Sequence, residues 1–455
     1  MATNMDGIFQ RSLFSISSRL SIMVGENSRY RVLANVLPWE ELANIANRYR
    51  SQEVNINLGR ELNLRMHLGA YISQTMNGWT DRATEEMIRY HAGVRILCGL
   101  EESQETLDRT SIQSFRLRLG QDGSEALNHV IVHHATGAGF TGSELCAADT
   151  TVQEAPIAYP TEAGHMKNMA EKLTGIGKKL GSKIGASVKA LGKKAQELFT
   201  ELRLFTRGKK EQALDLKKKL SEELHKTVSR MNEEVKNGLE SSQEKNQKEH
   251  LPTVNQFQTM LDQIIVWLNT GKHPLNKLIS LWELNARAIA KEKAGKTVEF
   301  GRRWIITRLL GGYVIGTPCV KLGSDSDANI AEEVMINFLN VFGELPESFV
   351  YDRGGDGPKN HELLSNLGVA NNCIFRRGDA KMEVDDSVFE MARSERALNE
   401  ASIATLKSNK YNFTKPRARS TDSCILKGHA AMLGFNINNL FKDIAQAWDM
   451  KMETT

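Results

Sequence analysis

The chain of 455 residues carries 40% apolar and 25% charged residues and a net charge of +4, a soluble, globular balance in a chain too long for one ordinary core. Five cysteines (Cys98, Cys146, Cys319, Cys373 and Cys424) stand without any CxxC pair, which argues against zinc and against a disulfide framework and fits a reducing cytoplasm. No apolar run has the length to cross a bilayer and the N-terminus lacks a signal-peptide pattern, so a cytoplasmic setting with no membrane partner is expected.

Residues 1–30 are mixed and polar, with little periodicity. From Pro38 the spacing turns helical. Trp39, Leu42 and Ile45 share one face, and Leu58 to Ile72 repeats the pattern through Leu62, Met66 and Leu68. Asn77-Gly78 breaks the run, Thr80 or Asp81 caps the next helix, and Gly99 closes it. Thr110-Ser-Ile-Gln113 is a capping-box pattern ahead of Phe115-Arg-Leu-Arg118-Leu, and Gly120 is the expected terminator. Short helices joined by short turns, the last bearing Arg116 and Arg118, resemble a helix-turn-helix DNA-binding region. A plain helical packing domain gives the same spacing. Residues 1–135 are assigned to this all-α domain.

A further helix from about Ser124 carries Val130 to His134. Glu144-Leu-Cys-Ala-Ala-Asp149-Thr-Thr-Val then reads as a short buried strand ending in a carboxylate. An acidic residue there is costly unless it is paired or holds a metal. Pro156 and Pro160 mark a loop. From residue 166 to 293 the character changes. Leu173, Ile176, Leu180, Ile184 and Val188 keep helical spacing, while Lys178, Lys179, Lys183, Lys189, Lys193 and Lys194 occupy other faces. A second apolar group runs from Leu261 to Trp267 and on to Trp282. The segment reads as a long helical insertion. Its lysines suit a phosphate-backbone surface, a solvated arm or, less readily, a membrane-surface helix.

At Thr297 the periodicity becomes strand-like. Val298 to Thr307 is one strand and Tyr313-Val-Ile-Gly the next, with Gly311-Gly312 as the tight turn between them. Ala331 to Phe342 reads as a helix, Ser348-Phe-Val-Tyr-Asp352 as a buried strand, Asn360 to Leu367 as a short helix, and Asn372-Cys-Ile-Phe as a strand. This α/β order is compatible with a ribonuclease H-like core, where a hairpin precedes alternating helices and strands. The core is assigned to residues 136–440, interrupted by the insertion at 166–293, with residues 441–455 as a C-terminal tail.

The next segment, Arg393-Ser-Glu-Arg396-Ala-Leu-Asn-Glu400 through Lys407, is free of Gly and Pro and reads as a helix. At 3.6 residues per turn, Arg393, Arg396, Glu400 and Lys407 fall within an arc of about 60°, with Met391 and Leu398 roughly opposite and available to a core. Two aspartates at strand ends, Asp149 and Asp352, and the helical Glu400 make a three-carboxylate constellation. Hard cations such as Mg²⁺ take oxygen ligands, and two ions about 3.5–4 Å apart can activate an attacking oxygen and steady a leaving one in phosphodiester chemistry. Glu395 is the fallback third ligand, on the other side of the helix. Asp352 read instead as a turn residue before Arg353-Gly354-Gly355, and Asp149 as an Asx cap, are the structural alternatives.

These residues carry a resemblance to the DDE transposases of bacterial insertion sequences. Arg396, three residues, Glu400, six residues and Lys407 match that family's R-(3)-E-(6)-K signature. Ala148-Asp149-Thr-Thr-Val-Gln-Glu with Tyr159-Pro-Thr-Glu162 is similar to the segment around the family's first aspartate, and Val350-Tyr-Asp352-Arg-Gly to that of the second. Lys296-Thr-Val-Glu-Phe-Gly301 resembles the strand after the insertion, and the run to Gly120 resembles the helical domain ahead of the core. A related signature has tyrosine three residues before the arginine. Here that position is Arg393, and no tyrosine contact carries over.

The resemblance implies a Mg²⁺-dependent transposase, with two ions held by Asp149, Asp352 and Glu400 and with Mn²⁺ able to substitute. It implies cleavage of element ends by water and then strand transfer by the freed 3′-hydroxyl. Arg396 and Lys407 would position phosphate, with Arg393, Lys410, Arg116 and Arg118 as further DNA contacts. The partners implied are double-stranded DNA, both element ends and target, and a homodimer or higher oligomer in the bacterial nucleoid. Two rivals keep the fold: a nuclease without strand transfer, and a transposase-derived DNA-binding protein with an inactive site.

Overall fold

The structure is a computed structural model that describes residues 24–51, 62–100, 105–155, 161–205, 211–274, 277–283, 286–293, 296–319, 329–378, 382–416, 418 and 420–448. The chain divides into two compact units, one made of residues 1–154 and 302–455, the other of residues 155–301. No helix among the described residues is long and apolar enough to cross a membrane.

Among the described residues the first unit begins with the helices α1 (Arg29–Val36), α2 (Trp39–Ser51), α3 (Leu64–Asn77), α4 (Asp81–Tyr90), α5 (Ala92–Leu97) and α6 (Arg109–Gly137). Their boundaries follow from local chemistry. Gly78 takes the left-handed conformation that ends α3, and the Thr80 hydroxyl accepts from Ala83 N to start α4. Leu58 to Glu61 of the expected apolar repeat lie outside the described residues. One expectation is corrected in α6. Its N-cap is Asp108, whose carboxylate accepts from the amides of Thr110 and Ser111, so the capping group precedes the Thr110 pattern. Gly120, at φ 67°, ends the first helical stretch of α6 as expected, and a second stretch follows across the kink.

The sheet of this unit begins with β1 (Leu145–Glu154). Asp149 therefore sits mid-strand and not at its end, because the β-branched run Thr150-Thr151-Val152 extends the strand. The second half of β3 (Lys296–Arg308), from Arg302 onward, pairs antiparallel with β4 (Val314–Pro318), across a turn in which Gly311 and Gly312 both have positive φ. After α11 (Ile330–Phe342) come β5 (Ser348–Tyr351), α12 (Pro358–Leu367) and β6 (Asn371–Ile374). The order is β4-β3-β1-β5-β6, with β1–β5 and β5–β6 parallel. α13 (Asp386–Leu406) lies over β1, β5 and β6, and α14 (Thr421–Ala447) packs on α6 and α3.

The main core joins the N-terminal helices, one face of the sheet and α14. A glycine sets one close approach. A Cβ on Gly434 of α14 would lie 2.2 Å from the carbonyl oxygen of Thr75 in α3. The first unit's helices and strands thus share buried surface, as the apolar periodicity of each requires.

The second unit holds α7 (Glu162–Gly177), α8 (Ser182–Phe205), α9 (Glu211–Ser241) and α10 (Leu251–Thr270). Their inward stripe includes Met169, Leu173, Val188, Leu224, Met231, Phe257 and Leu261, all fully buried in one core. Residues 287–293 correct the all-helical reading of the segment. They form β2 (Arg287–Lys293), antiparallel to β3 through the rungs Arg287–Gly301 and Ala290–Val298. The unit closes on itself, since the Ala155 amide donates to the Phe300 carbonyl at 2.9 Å.

Candidate active site

Parallel pairing fixes the heart of the site. Leu145, Cys146 and Ala147 face Ser348, Phe349 and Val350 in register. Extending that ladder by two residues sets Asp149 opposite Asp352. Side chains alternate along a strand, and the two faces have separate cores. Cys146, Ala148, Phe349 and Tyr351 enter the main core, while Leu145, Ala147, Val350 and Cys373 pack with Ala392 of α13. Asp149 and Asp352 continue the second set, so both belong to the face under α13. Each is half-buried.

Both carboxylates are held by nearby backbone. Asp149 Oδ1 accepts from the Thr150 amide at 2.6 Å, and Asp352 Oδ1 accepts from the Gly354 amide at 2.8 Å. Asp352 so caps a single 3₁₀ turn at Arg353–Gly355. The turn and the ligand readings of this residue are compatible, because a carboxylate has a second oxygen and further lone pairs to offer. Tyr351, the residue before Asp352, enters the main core on the opposite face. Burial, together with the negative charges of Asp149 and Asp352, drives its phenol well above the usual range, although Arg303 opposes them.

The loop after Asp352 is clamped. Arg377 donates from Nε to the Arg353 carbonyl at 2.9 Å and from Nη2 to the Gly354 carbonyl at 3.2 Å. Its own amide donates to Asp356 Oδ2 at 2.8 Å. Asp356 Oδ1 meets His361 Nε2 at 3.0 Å and Arg376 Nη1 at 3.3 Å. The His361 bond, then the Arg377 amide, hold the Asp356 carboxyl down at about 2. Sequence spacing did not point to this set. It joins the β5–α12 loop to residues that follow β6, and only the sheet brings the two together.

α13 carries the remaining candidates. Its buried residues are Ala392, Asn399, Ser402, Ile403 and Leu406. The expected core face holds in part: Met391 packs against the core formed with Ala392, but Leu398 is 42% exposed, and the buried stripe borders the cationic row instead of opposing it. Only Ile403 and Leu406 of the stripe are large and apolar, so apolar spacing alone could not reveal it. Asn399 is 2% exposed, and its Oδ1 has no hydrogen-bond partner among the described residues. Glu395, on one shoulder, is bound by Arg308 at 3.0 Å. Glu400, on the other, is exposed and accepts from Arg396 Nη2 at 3.1 Å. The Arg396 guanidinium lies 5.2 Å from the ring centroid of Phe375. Phe375 in turn donates its amide to the Tyr351 carbonyl at 3.0 Å, beside Asp352 in the ladder.

The structure therefore makes Asp149 and Asp352 register neighbours and puts the Arg396–Glu400 pair on the helix above that face. Among the described residues, no three His, Cys, Asp or Glu side chains stand together as a ready-made metal cage. Lys407 is half-buried at the C-cap of α13. Arg393 is exposed, 3.6 Å from Glu390, and the exposed Lys410 places Nζ 5.3 Å from the Tyr411 ring. Arg118 is exposed, but Arg116 is buried and bound to both Asp81 oxygens and to Gln74. Its expected DNA contact is corrected to an internal ion pair, for a guanidinium so engaged has no free fork for phosphate.

Residues 18–118 match the family model described as Transposase domain (DUF772). This segment takes in α1 to α5 and the first part of α6. Neither a curated protein nor a solved structure matches the chain.

Proposed function

We propose that this chain is a DNA transposase that cuts the ends of a mobile element and joins them to target DNA through Asp149, Asp352 and Glu400. The observation that carries the reading is the likeness of residues 18–118 to a transposase domain. The strand order β4-β3-β1-β5-β6, a hairpin on one side and parallel strands on the other, supports a ribonuclease H-like core.

The donor set fits Mg²⁺. That ion takes hard oxygen ligands and keeps several waters, and Asp149 and Asp352 offer carboxylate oxygens on one face of adjoining strands. The two carboxylates add negative charge at one place, and after burial their charges help raise the Tyr351 phenol against the opposing Arg303. When bound, Mg²⁺, or Mn²⁺ in its place, supplies an activated oxygen nucleophile and neutralises charge on the leaving oxygen.

The chain's own residues do the rest. Asp149, within β1, and Asp352, just past β5, would hold the metal at the sheet, which would keep the reacting phosphate in line. Glu400 joins them by turning its exposed side chain away from Arg396. Arg396, so released, and Lys407 orient the phosphate, and Arg393, Lys410 and Arg118 grip the flanking backbone. Two element ends require two such sites, so the working form is a homodimer or larger assembly on DNA.

The test is to incubate purified protein and Mg²⁺ with DNA bearing the element ends and a second DNA molecule, then map the products. Cut ends joined to the second molecule are expected. Cutting without joining would favour a nuclease on the same fold. Binding with neither would favour a transposase-derived DNA-binding protein.

A further inference from the structure

From Leu173 to Gln196 the chain has six lysines and no carboxylate. The hairpin of α7 and α8 gathers them. Lys178 and Lys179 follow α7, Lys183 lies in the first turn of α8, and Lys189 and Lys193 lie one turn apart farther along it. Lys194 is spent on Glu223 at 2.8 Å. The other five are exposed, and none of their ammonium groups has an ion pair or hydrogen bond among the described residues.

The face between them is bare. Ala186 and Ala190 are the exposed residues beside Lys189 and Lys193, so nothing bulky keeps a flat polyanion from the ammonium groups. The opposite face of α8 is fully used, because Val188, Ala195, Leu198 and Leu202 are buried in the unit's core.

We infer that this lysine-rich face of the second unit is a sequence-independent docking surface for the phosphate backbone of duplex DNA. The partner's identity rests on the proposed function, while the surface itself rests on the five unpaired lysines. A one-turn step on a helix is about 6 Å, and a DNA strand offers a phosphate about every 3.4 Å of axis, so neighbouring lysines meet separate phosphates without strict register. Lysine suits that task as a point charge, where base reading calls for forked donors. A membrane surface is disfavoured, since interfacial helices bury an apolar face in the bilayer and the apolar face of α8 is occupied.

The experiment measures DNA binding by the full chain against salt concentration, on end-containing and scrambled duplexes, with binding to vesicles containing phosphatidylserine as a second arm. Two variants are compared with the parent: Lys178→Gln with Lys179→Gln and Lys183→Gln, and Lys189→Gln with Lys193→Gln. Each lysine that meets a phosphate should reduce the slope of log affinity against log salt by about 0.9. Both variants should therefore show flatter slopes and weaker binding, equally on the two duplexes, with unchanged circular dichroism. Lys194→Gln, whose charge is already paired, should match the parent. Unchanged slopes in both folded variants overturn the inference, and so does a loss of vesicle binding with DNA binding intact. A parent protein that cuts and joins ends while its variants keep the full slope would leave the transposase reading standing and remove only this surface.

Discussion

Asp149 of β1 and Asp352, the residue that follows β5, come opposite one another two positions past the parallel Ala147–Val350 rung. Neither strand can shift without burying a carboxylate in a core, since a one-residue slip moves every side chain to the other face. Asp149→Asn or Asp352→Asn should lower end cleavage by at least about 100-fold, the scale of losing one group that stabilises developing charge. Binding to the same DNA should persist in gel-shift assays. Near-normal cutting by either folded variant would remove that residue from the site.

The Arg377 clamp gives a second expectation. It holds the carbonyls of Arg353 and Gly354, and the Gly354 amide holds Asp352. Arg377→Ala should slow cleavage by roughly 10–100-fold, as for other orienting partners of metal-ligating groups. Affinity for DNA at fixed salt should change far less. A variant that loses both in proportion would mark Arg377 as a DNA contact instead.

A third concerns the buried pair of Arg116 and Asp81. Asp81→Ala strands a guanidinium that is almost wholly buried, and loss of one partner in such a pair costs about 3–5 kcal/mol. Chemical denaturation should show the loss. Burial pushes the Asp81 carboxyl up, but the Arg116 bond outweighs it and the net shift is downward. The pair's stabilisation is thus complete above the ordinary carboxylate range and fades as pH falls through the lowered value. In Asp81→Ala the acid-dependent part of the loss should be gone.

Lys427 titrates beside that pair. Burial, then the Arg116 charge, pushes its ammonium down to about 8. The folded chain therefore resists its protonation, a penalty felt below about 8 and relieved as pH rises toward the ordinary lysine range. Lys427→Met should raise Tm at pH 7, with an advantage that shrinks by pH 10. An equal gain at both values would show that packing, not charge, is responsible.

Gly434 supplies a purely steric case. A methyl group there would sit 2.2 Å from a backbone oxygen of α3, and backbone cannot swing aside as a flexible side chain does. Gly434→Ala should destabilise by about 1–3 kcal/mol, read as a lowered Tm. An unchanged Tm would mean that α14 and α3 separate at no cost.

Much of this was legible in the residues, for definable reasons. The strands around Asp149 and Asp352 announce themselves because apolar runs end in acids that need a purpose. The cap at Thr80 and the stop at Gly78 are local chemistry and need no tertiary knowledge. What the sequence hid depends on contact at a distance. Arg116 looks like a surface cation until Asp81 is beside it. Leu398 looks like core until the mixed stripe of Ala392, Asn399, Ser402, Ile403 and Leu406 takes the buried side. β2 is too charged to signal a strand, and its pairing with β3 makes it one. The Asp356 cluster joins two loops that only the parallel order of β5 and β6 brings together.

The hydrogen bond from Ala155 to Phe300 means that residues 155–301 leave and return at a single doorway. A segment with touching ends behaves as a cassette. Its length can grow or shrink through evolution while the strands on either side keep their register, because the cost of closing a loop rises only with the logarithm of its size. The second unit was thus free to gather its own cations without disturbing the aspartates on β1 and beyond β5.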